Sequence, residues 1–311
     1  MERWRGIEQI PGKWGRCVVT IGVFDGVHLG HQQIIGRAVQ KAEQLGVPSV
    51  VLTFDPHPIE VIRPGSHPPM LTGPRLKADL IEQLGVDVFC VLPFTVEFMR
   101  LSAEDFVHTV LVERLHASAV VVGENFRFGS GGKGTVASLT EDGRRWGFSV
   151  DPFPLQGSGD MTFSSTYVRS CVAAGDLSSA NDALGREHRI NGIIVRGDQR
   201  GREIGYPTAN LEPLPWSAVP ADGIYAGRLV RGKEELPAAI SIGTNPTFAG
   251  AERRVEAFVL DFAGDLYGEH VGLSFTARLR DTLRFDSVDA LVAQMALDVE
   301  RTRELVCHPD G

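Results

Sequence analysis

His28 and His31 stand three positions apart in the segment Ile21-Gly-Val-Phe-Asp25-Gly26-Val-His28-Leu-Gly30-His31. If a helix starts there, the two imidazoles share a face. A helix N-terminus also presents unpaired N–H groups to anions. Two imidazoles at such a place can donate hydrogen bonds to a phosphoryl group that gains charge in a transition state. Gly22 and Gly26 lie where a strand ends and a turn must bring backbone close to a ligand. As lone residues, two histidines at a turn would be ordinary surface groups. The His-x-Gly-His spacing after a Gly-rich strand end is what lifts them above that reading.

A second phosphate-directed segment lies far along the chain, Gly197-Asp-Gln-Arg-Gly201-Arg202-Glu-Ile-Gly205-Tyr-Pro207-Thr208-Ala-Asn210. Gly197 and Gly205 permit a tight loop around phosphates. Thr208 and Asn210 are two apart, so in an extended segment they point the same way. A hydroxyl and an amide oxygen are hard ligands, suited to the Mg²⁺ that accompanies ATP. Two unrelated phosphate sites in one chain imply two reactions.

A third glycine-rich run has the wrong surroundings for a nucleotide loop. Gly129-Ser-Gly131-Gly-Lys133-Gly134 matches Gly-x-Gly-x-x-Gly. Glu124–Phe128 separate it from the preceding strand, and no acidic strand end follows at dinucleotide-site spacing. As a Walker A loop it fails too, with Arg127 at the leading Gly position and Gly134 at the Ser/Thr position. It reads as a loop beside the first site.

The elements that must position these residues fall into two patterns. From about residue 17 to 152, apolar runs at Cys17–Val23, Ser49–Phe54, Val86–Leu92, Ala119–Gly123 and Phe148–Pro152 read as strands. Amphipathic stretches at His31–Leu45, Pro74–Leu84 and Ala103–Leu115 lie between most of them, with Ser102 and Asp105 as a near-match to a capping box. This alternation predicts an α/β domain with a parallel, Rossmann-like sheet, whose ligands bind at the carboxyl ends of strands. Leu177–Arg189 reads as a helix and connector, and the domain boundary is expected at 184/185. Beyond it, strand-like runs at Arg189–Arg196, Gly223–Val230, Ala238–Gly243, Val255–Phe262 and Val271–Leu279 follow one another without helices. They predict a mainly antiparallel β-barrel. A C-terminal helix is expected to bury Val288, Leu291, Val292, Met295 and Val299 on one face, capped by Asp286 or Ser287.

Composition narrows the partners. The 311 residues are 43% hydrophobic and 23% charged, with a formal net charge of −8. That acidity argues against nucleic acid as the main partner but leaves room for a small anion in a positive pocket. Cys17, Cys90, Cys171 and Cys307 form no Cys-x-x-Cys pair and no zinc spacing, as suits a reducing compartment. The N-terminal residues lack an apolar signal core, and no apolar run approaches membrane-spanning length. The expectation is a cytoplasmic protein without a membrane partner; the sequence leaves its oligomeric state open.

The first segment resembles the His-x-Gly-His signature of the nucleotidyltransferase superfamily. Phe54-Asp55-Pro56-His57-Pro58, Gly123-Glu124-Asn125-Phe126-Arg127-Phe128-Gly129 and Ser164-Ser165-Thr166-Tyr-Val-Arg169 follow in the order seen in bacterial bifunctional riboflavin kinase/FAD synthetases. Pro207-Thr208-Ala-Asn210, Asp222-Gly-Ile-Tyr225, Gly243-Thr-Asn-Pro-Thr247 and Leu266-Tyr267-Gly268 extend the likeness into the second half. It covers about Val18 to Arg303. The resemblance implies an FMN adenylyltransferase domain over 1–184 and a riboflavin kinase domain over 185–311, using riboflavin, FMN and ATP with Mg²⁺. It implies nucleotide or phosphate binding by Gly22, Phe24, Gly30, Ser164, Thr166, Arg169, Gly197 and Gly205. It also implies flavin contacts at His57 and Asn125, metal contacts at Thr208 and Asn210, and catalytic roles for His28 and His31. Glu256, in Arg-Val-Glu256-Ala-Phe-Val-Leu, matches the family's general base. Apolar strand neighbours would raise its proton affinity by desolvation. One departure stands out: Arg280-Asp281-Thr-Leu-Arg-Phe285 has no acid between Asp281 and the Phe, where the family frequently has one.

Overall fold

The computed structural model describes residues 1–154, 157–158, 161–197, 201, 204–247 and 250–307. It divides into two compact units. The first comprises Met1–Pro68 and Pro74–Phe163, the second Pro69–Gly73 and Ser164–Gly311.

The first unit is built on a six-stranded sheet of β1 (Glu2–Arg5), β2 (Cys17–Ile21), β3 (Ser49–Asp55), β4 (Val88–Pro93), β5 (Ala117–Gly123) and β6 (Ser149–Phe153). The spatial order is β1-β4-β3-β2-β5-β6, and every pairing is parallel. The buried strands β2 and β3 read as near-continuous apolar runs because both faces are covered. Strand β1 escapes the sequence reading because Glu-Arg-Trp-Arg shows one inward residue, Trp4, among exposed charges. The order reverses at β2, with β3 on one side and β5 on the other. A crevice at the carboxyl end of β2 is therefore where this architecture binds ligands.

Helix α1 (Leu29–Leu45) covers that crevice from one side and buries Ile34, Ile35, Ala38 and Ala42. Removing a side chain such as Ile35 from water contributes roughly 1.5–3 kcal/mol. Gly46, at φ 63°, ends the helix in the left-handed conformation that a Cβ disfavours. The expected helix over Ala103–Leu115 starts as α at Ala103–Phe106 and continues as a π-helix over Val107–Arg114. Its Ser102 cap is present, with Oγ accepting from the Asp105 N–H at 3.0 Å. The Gly129–Gly134 run closes a short antiparallel hairpin, Arg127–Phe128 against Gly134–Thr135. A Cβ on Gly129 would meet Ala103 backbone at 2.6 Å and one on Gly134 the Phe128 ring at 2.8 Å, so these two glycines serve packing.

The second unit begins with α2 (Ser165–Ala174) and α3 (Leu177–Leu184), followed by a closed barrel. Its strands are β7 (His188–Val195), β8 (Ala209–Pro213), β9 (Gly223–Arg231), β10 (Glu234–Thr247), β11 (Gly250–Val259) and β12 (His270–Arg280). The closed order is β7-β8-β11-β10-β9-β12 and all pairings are antiparallel. Ile190, Ile194, Leu211, Tyr225, Leu229, Ile240, Val255, Leu273 and Phe275 fill the interior, with Leu177 of α3 joining them. Asn181 fixes α3 to the barrel by donating to the Phe275 carbonyl at 2.9 Å and accepting from the His188 N–H at 2.7 Å.

Helix α4 (Val288–Cys307) closes the chain, and Ser287 caps it through the Ala290 N–H at 3.2 Å. On the expected apolar face, Leu291, Val292, Met295 and Val299 are half-buried, but the one apolar residue at the start and the fully buried positions differ. Val288 is 60% exposed, whereas Asp298, Thr302 and Val306 are buried. The reason is an ion pair: Asp298 accepts from Arg280 Nη2 at 2.6 Å and Nε at 2.9 Å, which draws a charged residue under the helix.

Candidate functional sites

The first site forms where β2 ends. The Gly22 N–H continues the ladder to the Leu52 carbonyl at 3.1 Å. The chain then turns through Phe24 (φ 51°), Gly26 (φ 85°) and Val27 (φ 42°). Positive φ at a bulky residue and at a β-branched one costs about 1–3 kcal/mol each, and such strain gathers at ligand sites. The turn is held by its neighbours. The Val23 carbonyl accepts from Lys77 Nζ at 3.0 Å and Thr53 Oγ1 at 3.1 Å. Phe24 and Val27 are buried in an apolar cluster with Ile35, Val51 and Ile81.

The turn delivers His28 to the N-cap of α1. Histidine is a poor capping residue by type, yet Nδ1 accepts from the His31 N–H at 3.4 Å. An Nδ1 that accepts leaves the proton of a neutral ring on Nε2, so His28 is set up as a donor. The His28 and His31 rings stack at 3.6 Å with 22° between their planes, and Phe24 meets His31 edge-on at 5.2 Å. Two glycines make room for this arrangement. A Cβ on Gly22 would lie 2.9 Å from the Phe24 ring, and one on Gly30 would lie 3.3 Å from the His28 ring. The Phe24 side chain itself is only 3% exposed.

Two candidates follow the carboxyl ends of strands beside β2. His57 follows β3 and caps the short helix Pro58–Ile62, its Nδ1 accepting from Ile59 N–H at 3.2 Å. Asn125 follows β5 and is exposed. Within the second unit, Ser164 caps α2 by accepting from the Tyr167 N–H at 3.1 Å, and Thr166 is exposed. Arg169 Nε donates to the Pro69 carbonyl at 2.7 Å.

The second site is formed by β8 and β11. Asn210 and Glu256 are direct cross-strand partners, and Ser241 of β10 faces Glu256 from the other side. Along β11, Val255, Ala257 and Val259 point into the barrel, so Arg254, Glu256 and Phe258 point outward. Thr208, just before β8, donates from Oγ1 to Glu256 Oε2 at 3.3 Å. Gly197 packs against the Asn210 amide so closely that a Cβ there would collide with it. Gly205, at φ 86°, forms the turn that leads into Pro207-Thr208. Residues 198–200 and 202–203 of this loop lie outside the described residues.

Two cavities flank this group. One, of about 410 Å³, lies on the outer barrel wall under α4 and is lined by Tyr206, Thr208, Ser241, Glu256, Met295 and Asp298 among others. The other, of about 820 Å³, is lined by Val195, Gly197, Thr208, Ala209, Asp265 and Tyr267 among others. Thr208 is the residue common to both. No cluster of three or more His, Cys, Asp or Glu with metal-binding geometry occurs among the described residues. A cation here would thus rest on a hydroxyl, an amide oxygen and the oxygens of its own nucleotide. That donor set fits Mg²⁺, which keeps few protein ligands and binds through substrate phosphates.

The cavities, α4 and the Arg280–Asp298 pair were not legible as site features in the sequence. The one available signal was an acidic residue, Asp298, three after the apolar Met295 on a helical face.

Two family models match successive parts of the chain. The FAD synthetase family model matches residues 10–167, and the riboflavin kinase family model matches 184–306. The bifunctional riboflavin kinase/FMN adenylyltransferase of Escherichia coli is 37% identical over 93% of this chain and 92% of its own. That of Pseudomonas fluorescens is 37% identical over 98% of each chain. This chain belongs to that family. Its fold matches a crystal structure described as a macrolide-efflux protein from Streptococcus pneumoniae, with a TM-score of 0.88 and 33% identity. That match covers 97% of this chain and 99% of the other. Membership in the bifunctional riboflavin kinase/FMN adenylyltransferase family accounts for two separately cored units. No helix among the described residues is long and apolar enough to cross a membrane.

Proposed function

We propose that this protein carries riboflavin to FAD in two ATP-dependent steps, one in each domain. Riboflavin takes the γ-phosphoryl of ATP to give FMN, and FMN then takes the adenylyl group of a second ATP to give FAD and pyrophosphate. The observation that carries the kinase assignment is the Thr208–Glu256 hydrogen bond at the junction of two cavities.

In the kinase step, ATP occupies the cavity beside Gly197 and riboflavin the one under α4. Glu256 accepts the proton of the ribityl 5′-hydroxyl as that oxygen attacks the γ-phosphorus, and ADP leaves. Thr208 holds the carboxylate in place before the substrate arrives. Gly197 and Gly205 shape the phosphate loop. Thr208 and Asn210 would hold Mg²⁺, which would supply positive charge to offset that of the phosphates. Such catalysis is mostly positioning and charge stabilisation.

In the adenylyl step, an FMN phosphate oxygen attacks the α-phosphorus and pyrophosphate departs. The nucleophile is already an anion, so donors suffice and no strong base is needed. His28 and His31 donate to the phosphoryl oxygens as charge builds. Gly22, Phe24 and Gly30 contribute through backbone and close packing, since the Phe24 ring is buried. His57 and Asn125 contact flavin. Ser164, Thr166 and Arg169 are assigned by their motif to the ATP phosphates.

The functional division we propose is 1–184 and 185–311. The cytoplasm is the proposed compartment, in keeping with four free cysteines. Chromatography of products from riboflavin, ATP and Mg²⁺ tests the whole assignment. FMN should appear first and FAD second. No FMN refutes the kinase, and FMN without FAD refutes the adenylyltransferase.

A further inference from the structure

Strand β12 ends at Arg280, and the chain then leaves the barrel until α4 returns Asp298 to the same guanidinium. Thr282, Leu283, Phe285, Leu291 and Met295, between those two residues, form one wall of the 410 Å³ cavity. This wall has little core of its own. Leu283 is 54% exposed and Val288 60%, and the first buried residue of α4 is Asp298.

The wall is tied down at its base by charge. Arg280 reaches Asp298 through Nε at 2.9 and 3.2 Å and through Nη2 at 2.6 Å. The side chains are 17% and 9% exposed. Gln294 Nε2 adds a third donor to Asp298 at 3.1 Å, and the Arg280 guanidinium lies 5.9 Å from the Phe285 ring centroid. Every polar group of the clamp therefore belongs either to the wall or to its two ends. An ion pair buried this deeply adds little net stability over an apolar pair, but it enforces one geometry.

We propose that Arg280 and Asp298 are positioning residues: their ion pair latches segment 281–297 against the barrel and so sets the acceptor cavity for the kinase reaction. The inference rests on the assignment of that cavity to riboflavin. The pair acts as a unit through the wall and leaves Thr208, Asn210 and Glu256 unchanged. Breaking it weakens flavin capture more than it slows phosphoryl transfer.

The test is a double-mutant cycle on the full chain, with Arg280→Gln, Asp298→Asn and the double variant. Each single variant should raise the riboflavin KM at least about tenfold, the scale of coupling within one ion-pair network. The ATP KM should stay within about twofold, and the double variant should be no worse than the poorer single, as expected for one network. FAD formation from supplied FMN reports on folding and should be unchanged. Arg280→Lys, which keeps the charge but not the bidentate fork, should recover part of the loss. Trypsin provides a second reading: cleavage after Arg284 should accelerate in Asp298→Asn, and riboflavin should slow it. Unchanged riboflavin KM in both singles overturns the latch. So does a loss confined to the Arg280 variants, which would make Arg280 a direct ligand instead. If the unsubstituted protein forms no FMN, the cavity assignment has failed, and the trypsin comparison without riboflavin still judges the latch.

Discussion

Asn210 and Glu256 face each other across a single rung of the barrel, one on β8 and the other on β11. The amide and the carboxylate thus share one backbone hydrogen-bonding frame, and neither depends on a loop for its placement. Thr208, two residues before Asn210, completes the group by donating to Glu256.

That arrangement makes Glu256→Gln informative. The amide keeps the size of the side chain and one acceptor, so the Thr208 contact and riboflavin affinity should persist. FMN formation should slow by roughly 100- to 10,000-fold, the range for a lost general base. FAD synthesis from FMN should be intact. Steady-state kinetics of both reactions give the answer, and wild-type kinase turnover in the variant would end the role.

Asn210→Ala should raise the Mg²⁺ and ATP concentrations that the kinase needs. Gly197→Ala should do the same while leaving Asn210 itself in the sequence, because its Cβ would displace the Asn210 amide. Titration of Mg²⁺ at fixed ATP compares them. A normal Mg²⁺ dependence in both would remove Asn210 from the metal shell.

His28→Ala and His31→Ala should each lower FAD formation by roughly 100- to 1000-fold, the cost of one lost transition-state donor. FMN formation should continue. His28→Asn is a useful companion, since Asn is a good N-cap and would keep the helix start. If the Asn variant adenylylates at the wild-type rate, His28 is only a cap.

Cysteine alkylation probes the packing. Burial pushes the Cys17 and Cys90 thiols up to about 12, so neither forms the reactive thiolate near neutral pH. Cys171 is buried and Cys307 exposed. Iodoacetamide at pH 8 should therefore label Cys307 alone in the folded protein and all four sites in denaturant. Mass spectrometry of peptides reads this directly, and labelling of Cys17 in the native state would contradict the packed sheet.

Fragments test the division of labour. Residues 176–311 retain Leu177 and Asn181, which pack on and bond to the barrel, whereas 185–311 lose both. Deleting a fully buried Leu side chain alone costs about 2–5 kcal/mol. Both fragments should make FMN and no FAD, with the longer one melting at a distinctly higher temperature. Equal melting points would show that α3 adds nothing to the barrel.

The periodic elements were legible in the sequence because burial writes itself into composition. The strands β2 to β5 are near-continuous apolar runs, and the His28 segment sits at the expected strand end. Other features depend on residues distant in the chain. That Asn210 opposes Glu256 is a matter of register, which no local pattern encodes. Strand β8 shows in the sequence only as an extended stretch, because Ala-Asn-Leu-Glu-Pro has a single fully buried side chain, Leu211. The face of α4 was misread at Val288 because helical periodicity counts apolar residues. Here a buried charge, paired with Arg280, fixes the rotation of the helix. The turn after β2 was legible from Gly22 and Gly26, but the positive φ at Phe24 and Val27 was not, since neither residue type announces it.

The alternation along β11 has an evolutionary consequence. Val255, Ala257 and Val259 line the barrel interior while Glu256 stands between them on the outer wall. Moving this strand by one residue would carry the carboxylate into the apolar interior and bring its neighbours to the substrate. Single-residue insertions within β8 or β11 should therefore be purged as lethal lesions, whereas length changes in the turn between β9 and β10, around Gly232, should accumulate as neutral variation. Across related genomes the gap pattern alone would then trace the Asn210–Glu256 rung.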